Sequence, residues 1–190
     1  MLCMTRPDER KLCEVHKRHR NLPLSYHEVG CTSCDCPVGF VCDHYHVRLG
    51  QGAKVFERAR LAISGWRMLH LGWIEPCWPD VPISEGALVA TMADIFGIWT
   101  VNVCRIVSVI DEDGPVRRYG LAYGTLRGHM ECGEEQFLVE WNRVDDTVCY
   151  EIRAVSKPGR WLTRMSYPLV RRLQRRFGHD SMRAMIAATG

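Results

Sequence analysis

The run YGTLRGHMECGEEQF, residues 123–137, gathers Tyr123, Thr125, His129, Glu134 and Glu135 on two strand-like stretches joined by a glycine-bounded loop. A histidine titrates near neutrality, and a neighbouring carboxylate raises its pKa, so this set can carry general acid–base chemistry. The catalytic reading gives His129 the proton, lets Glu134 or Glu135 set its protonation, and has Tyr123 orient a substrate. Period-two alternation puts Tyr123 and Thr125 on one face, which looks into a cavity if that face is concave. A plainer reading stays open: Gly124 and Gly128 serve the backbone, His129 caps the turn, and the glutamates meet solvent or arginine.

The second constellation is thiol-rich. Cys31, Cys34, Cys36, Cys42, His44 and His46 fall within one short stretch, and Cys31-x2-Cys34 can offer two thiolates to a tetrahedral ion. Structural zinc held by Cys31, Cys34, Cys36 and Cys42 is one reading, although Cys42-x-His44 is too tightly spaced for the usual second half of a zinc ribbon. Adventitious or redox-sensitive thiols and a catalytic thiol are the others. The chain has 10 cysteines. Its N-terminus is polar from residue 5 onward and lacks the apolar core of an export signal, so a cytoplasmic location with reduced thiols or metal ligands is expected. Cys77, Cys104, Cys132 and Cys149 are scattered and read as small hydrophobes.

Charge narrows the partners. Twenty-five Lys and Arg against 22 Asp and Glu leave +3, too little for nucleic-acid binding by the whole chain. Arg171, Arg172, Arg175 and Arg176 form two doublets facing away from an apolar stripe, but no aromatics are interleaved for base stacking. A solvated face is the leading reading there, and specific nucleic-acid binding is not expected; weak contact with a membrane surface is the alternative. Arg105, Glu151 and Arg153 lie on strand-like stretches. Parity sets Glu151 and Arg153 opposite Ile152 and Ala154, so the outer face is the leading reading; on the inner face they would be paired and able to fix a carboxylate or phosphate of a ligand. Phosphate-loop, dinucleotide, GxSxG and HExxH motifs do not occur.

Positioning these groups requires a scaffold. With 46% hydrophobic and 25% charged residues in 190, the composition is that of a globular protein with a core, and no apolar run is long enough to span a bilayer. Residues 1–37 read as a cysteine-rich arm with one short helix near 8–18, and 38–190 as the domain. A strand is expected over 38–49 and a helix over 53–70, where Val55, Ala59, Ala62, Trp66 and Leu69 make one stripe. Strand-like runs follow at 86–93, 99–110, 116–126, 135–141 and 147–156, joined by links too short for parallel crossovers. From 157 to 189 the spacing is helical again, with Leu162, Met165, Leu169, Leu173 and Phe177 in a stripe, Pro158 in the first turn and Pro168 as a kink. The implied class is α+β: a bent antiparallel sheet of about six strands wrapped around a long C-terminal helix, with one helix in the N-terminal half. This order of elements resembles the helix-grip shape of START-type and Bet v 1-like ligand carriers.

Further phrases carry a closer resemblance. LPLSYHEVG at 22–30, RLGQGAKVFERA at 48–59, NVCRIV at 102–107, YGLAYGTLRGHMECGEEQF at 119–137, IRAVSKPGRWL at 152–162 and PLVRRLQRRF at 168–177 are similar to the family called domain of unknown function nineteen-ninety. The cysteines of CTSCDC, Cys42 and Cys132 depart from that family's pattern. The leading functional expectation is binding of a small apolar or amphipathic, lipid-like ligand between sheet and helix. Its walls are expected from Val103, Leu121, Tyr123, Thr125, Phe137, Val139, Leu169 and Leu173. An enzyme using the same cavity, and a zinc-stabilised interaction protein, are the alternatives.

Overall fold

Alternating apolar and polar residues make ribbons with one buried face, and here the ribbons outnumber the helices. The computed structural model describes residues 1–159 and 167–190. In chain order the elements are β1 (Leu2–Cys3), α1 (Glu9–His19), β2 (Val41–Gln51), α2 (Ala53–Ser64), β3 (Ile74–Pro76) and β4 (Leu88–Ile95). They continue with β5 (Ile98–Glu112), β6 (Val116–Thr125), β7 (Glu131–Asn142), β8 (Thr147–Pro158) and α3 (Tyr167–Thr189). The sheet is antiparallel and ordered β2-β8-β7-β6-β5-β4-β3, with β1 added against β5.

Eight strands among the described residues replace the expected six. The two extra ones, β1 and β3, span two and three residues, too few for alternation to be visible. Pairing explains β1: β6 leaves β5 at the Cys104–Thr125 pair, and Leu2 and Cys3 take up the next stretch opposite Thr100 and Trp99. Register breaks between Arg48 and Gly50 on β2, and between Ile106 and Ser108 on β5, insert bulges that bend the long strands. The sheet curls, and α3 lies on its concave side in the helix-grip arrangement.

The concave face holds the main core. Leu121, Phe137, Val139, Tyr150 and Ile152 pack there against Phe56, Ala59, Ala62 and Ile63 of α2 and Met185 of α3. Gly178 lets α3 settle on the Tyr45 ring, since a Cβ there would stand 2.6–2.8 Å from the ring atoms. One turn later the Ser181 and Tyr150 hydroxyls meet at 2.9 Å. Helix α2 stops at Gly65 rather than running to residue 70. Trp66 adopts φ 55, its Nε1–H donates to the Val81 carbonyl at 3.0 Å, and a single 3₁₀ turn follows.

The convex face is covered too. Asp8 caps α1 by accepting the Lys11 N–H at 2.9 Å, and Leu12 and Val15 bury against Leu88, Ala90, Met92, Val101 and Val103. Within residues 1–37, Leu12, Val15, Tyr26 and Cys31 pack against residues of the sheet. Arg105 is outward, donating to the Leu22 and Arg20 carbonyls at 3.0 and 2.8 Å. Glu151 is outward as well, paired with Arg153 and with His44 at 3.3 Å.

Among the described residues the last helix is α3, Tyr167–Thr189. Lys157 and Pro158 end β8, so Pro158 lies in a strand and not in a helix's first turn, and Pro168 is the second described residue of α3. Arg160, Trp161, Leu162 and Met165 lie outside the described residues. No helix of the described residues is long and apolar enough to cross a membrane.

The grip at Gly178 gives a direct test. Gly178→Val should lower stability by about 1–3 kcal/mol through overpacking, outweighing the few tenths gained in helix propensity. Urea unfolding reads this, and an unchanged midpoint would show that α3 does not bear on Tyr45.

Candidate functional site

Two adjacent carboxylates of β7 point to opposite faces of the sheet, as alternation requires. Glu134 goes outward and is 3% exposed. Its Oε2 accepts the Tyr26 O–H at 2.7 Å and the Gly30 N–H at 2.9 Å, and its Oε1 accepts the Thr32 O–H at 2.6 Å and N–H at 3.4 Å. Gly124 leaves room for the Tyr26 ring, which occupies the place a Cβ would take. Glu134 thus fastens segment 26–32 to the convex face, and the structure does not bring it to His129 or Tyr123 as the acid–base reading expects.

Glu135 goes inward. Tyr123 donates to its Oε2 at 2.7 Å, and the Tyr123 and Phe137 rings pack at 5.3 Å between centroids. Burial pushes the Glu135 carboxyl up to about 7, the phenol hydrogen bond opposes the shift, and the nearby Glu131 and Asp43 add to it. Burial likewise pushes Glu131 up to about 7, against the pull of Arg171. Cys104 lies alongside, its thiol driven upward by burial.

A polar chain closes the roof. Arg171 of α3 grips Asp43 of β2 through two hydrogen bonds, Nη1–Oδ2 at 2.5 Å and Nη2–Oδ1 at 2.6 Å, and also donates to Gln174 at 2.6 Å. Gln174 in turn donates to Glu131. Arg171, read from sequence as part of a solvated basic face, is therefore a largely buried ion-pair partner, because Asp43 shares the inward parity of Tyr45 on β2.

Beneath this chain, between the concave face and the first half of α3, lies a hollow of about 460 Å³. Tyr123, Thr125, His129, Glu135, Leu169 and Leu173 line it, as do Trp73, Ile95, Met130 and Phe177. The Nδ1 of His129 accepts the Glu131 N–H at 3.0 Å, so one ring nitrogen serves the turn. Other expected wall residues lie elsewhere. Val103 is on the convex face under α1, because β5 turns Asn102 and Cys104 inward. Leu121, Phe137 and Val139 have the inward parity but sit in the closed core beneath α2 and α3, fully buried. Asp43, Glu131 and Gln174 were not anticipated. Glu131 shares Glu135's parity, and Arg171 and Gln174 are three residues apart on one helix face, so spacing alone could have flagged them.

The four candidate zinc ligands are not brought together. Cys36 and Cys42 form a disulfide with Cα atoms 6.0 Å apart, which corrects the expectation that these thiols are reduced. Cys31 is buried beside Tyr26 and Cys132, where burial pushes its thiol up to about 12, and Cys34 is exposed. A zinc ligand must be a thiolate, which an apolar site disfavours. No group of three His, Cys, Asp or Glu able to hold a metal occurs among the described residues.

The inward carboxyls set a pH dependence. Their folded pKa values, about 7, exceed the ordinary 4.5, so the fold favours their protonated forms. That stabilisation is complete below about 4.5 and lost as pH rises through about 7. Urea unfolding between pH 4.5 and 8 should show stability falling across this window, and Glu135→Gln should flatten the slope; a rise with pH would refute the assignment.

Comparison with known proteins gives the lineage. The family model described as "Domain of unknown function (DUF1990)" matches residues 25–184. A UPF0548 protein of Dictyostelium discoideum is 34% identical over 160 residues, 80% of this chain and 74% of the relative. One of Deinococcus radiodurans is 30% identical over 202 aligned positions covering 100% of both chains. Among solved structures, hypothetical protein jhp0584 of Helicobacter pylori superposes with TM-score 0.50 at 12% identity, over 80% of this chain and 88% of that one, a likeness of fold alone. With nearly its whole length matched, from the segment that Glu134 fastens to the helix that roofs the hollow, the chain belongs to the DUF1990 family.

Proposed function

We propose that this protein binds a small molecule with an apolar body and one hydrogen-bonding end in the hollow between its sheet and α3. The observation that carries the reading is the hollow itself: about 460 Å³, walled mainly by apolar side chains, with Tyr123 and Glu135 converging on it. That volume lies within the range of small-molecule sites, roughly 300–1,000 Å³, and a few polar groups on an apolar wall orient such a guest. The apolar body would lie against Trp73, Ile95, Leu173 and Phe177, and the polar end would meet Tyr123, Glu135 and Glu131.

Titration with the neutral fluorescent probe N-phenyl-1-naphthylamine tests it. One probe should bind per chain, and Leu173→Trp, which fills the hollow, should weaken binding about tenfold or more while the thermal midpoint stays within a few degrees. Unchanged affinity in that variant would remove the hollow from consideration.

A second reading is favoured by one feature, a carboxyl pushed up to about 7 that accepts a phenol hydrogen bond inside a cavity. Such a group can take and return a proton near neutrality. It assigns the acid–base role to Glu135, since His129 commits Nδ1 to the Glu131 backbone. Under this reading Glu135→Gln abolishes turnover of a bound substrate but preserves probe binding; retained turnover excludes it.

A further inference from the structure

The mouth of the hollow carries an unusual side chain. Phe96 and Gly97 form the two-residue link between β4 and β5, bracketed by the Ile95–Ile98 pair. Both have positive φ, 55° and 81°. Such hairpin links favour Asn-Gly, because asparagine tolerates the left-handed region and an aromatic residue does not. Phe96 gains no packing in exchange, being 86% exposed. A strained backbone that holds a large apolar ring in water has two unfavourable features and no internal compensation.

Phe96 is not alone there. Leu2 at 66%, Ile98 at 43% and Leu169 at 43% exposure also belong to the rim of the same hollow. Exposed valines elsewhere, such as Val38 and Val144, stand singly on loops, which is ordinary; four large apolar side chains around one opening are not. Arg172 lies one turn beyond Leu169 on the exposed side of α3, with Arg175 a further turn on. Neither has an acidic partner among the described residues, in contrast to Arg171 with Asp43 and Arg176 with Asp180. Asp94, at the base of the hairpin tip, accepts the Gly97 N–H at 2.8 Å.

We infer that this rim is a docking surface for an anionic lipid bilayer. Phe96, Ile98, Leu2 and Leu169 enter the boundary between headgroups and acyl chains, and Arg172 and Arg175 face the phosphates and carboxylates of the headgroups. Apolar side chains dipping into the interface beside unpaired arginines are the chemistry of peripheral membrane binding. Docked in this way, the hollow opens toward the bilayer, although the surface does not depend on what the hollow holds.

Vesicle flotation tests the inference, using phosphatidylcholine vesicles with and without 30% phosphatidylserine, about 30% being enough for a negative surface potential. The protein should float with the anionic vesicles, more so at low salt. Phe96→Asn should lower the partition coefficient about tenfold or more while holding or raising the thermal midpoint, because asparagine suits the turn. Arg172→Glu combined with Arg175→Glu should remove the preference for anionic vesicles. Failure to float, equal binding to neutral and anionic vesicles, or wild-type flotation of the Phe96 variant overturns the inference. So does a dimer in sedimentation that Phe96→Asn dissolves when no vesicle binding is seen, which would give the rim to a second copy of the chain.

Discussion

A carboxylate shielded from water must find donors or give up its charge, and β7 shields two in succession, Glu134 fully and Glu135 in part. Alternation sends Glu134 through one face of the sheet and Glu135 through the other. The outward one receives four hydrogen bonds from Tyr26, Gly30 and Thr32. Removing it would leave several buried donors unmade, at about 1–3 kcal/mol each, so it binds the N-terminal segment to the sheet. The inward one has a single phenol. What differs is the company each face can supply: a loop rich in N–H and O–H groups outside, apolar walls inside.

The same contrast divides α3. Over its second half, Gly178, Ser181 and Ala188 present little bulk, so the helix approaches the sheet and α2 closely and the core closes around Met185. Its first half meets the sheet through Arg171 and Gln174, long side chains reaching Asp43 and Glu131. A helix held at polar arm's length on one half and in van der Waals contact on the other leaves a gap under the first. The hollow is thus a product of helix composition as much as of sheet curvature.

Much of this was legible in the residues. Alternation located the six long strands, and the α2 stripe and the outward parity of Glu151 and Arg153 came from spacing alone. The family likeness and the helix-grip class followed from element order and from AYGTLRGHMECGEEQF. Three features were not legible, each for a physical reason. Val103 reads as a wall residue because it is apolar and on a strand, yet a sheet covered on both sides has two apolar faces, and only contact with Leu12 and Val15 reveals which one it serves. Arg171 looks solvated because its partner Asp43 is 128 residues away. The Cys36–Cys42 bond is hidden because the spacing of clustered cysteines cannot say whether a thiol faces an ion, a second thiol or a core.

If the hollow takes a guest as proposed, the inward pair ties that guest's charge to the protonation of the walls. With Glu135 and Glu131 both near 7, the cavity at neutral pH stands between an uncharged and an anionic state. A neutral guest that displaces water strengthens the burial acting on Glu135 and favours the protonated form. A cationic guest stabilises the carboxylate and releases a proton. Since Tyr123 can donate to either form, the hydrogen bond survives both, and the proton count rather than the geometry distinguishes the two classes of guest. Under the proposed reading, apolar walls with two such acids would make a more selective host than apolar walls alone, because a guest would have to match both shape and charge.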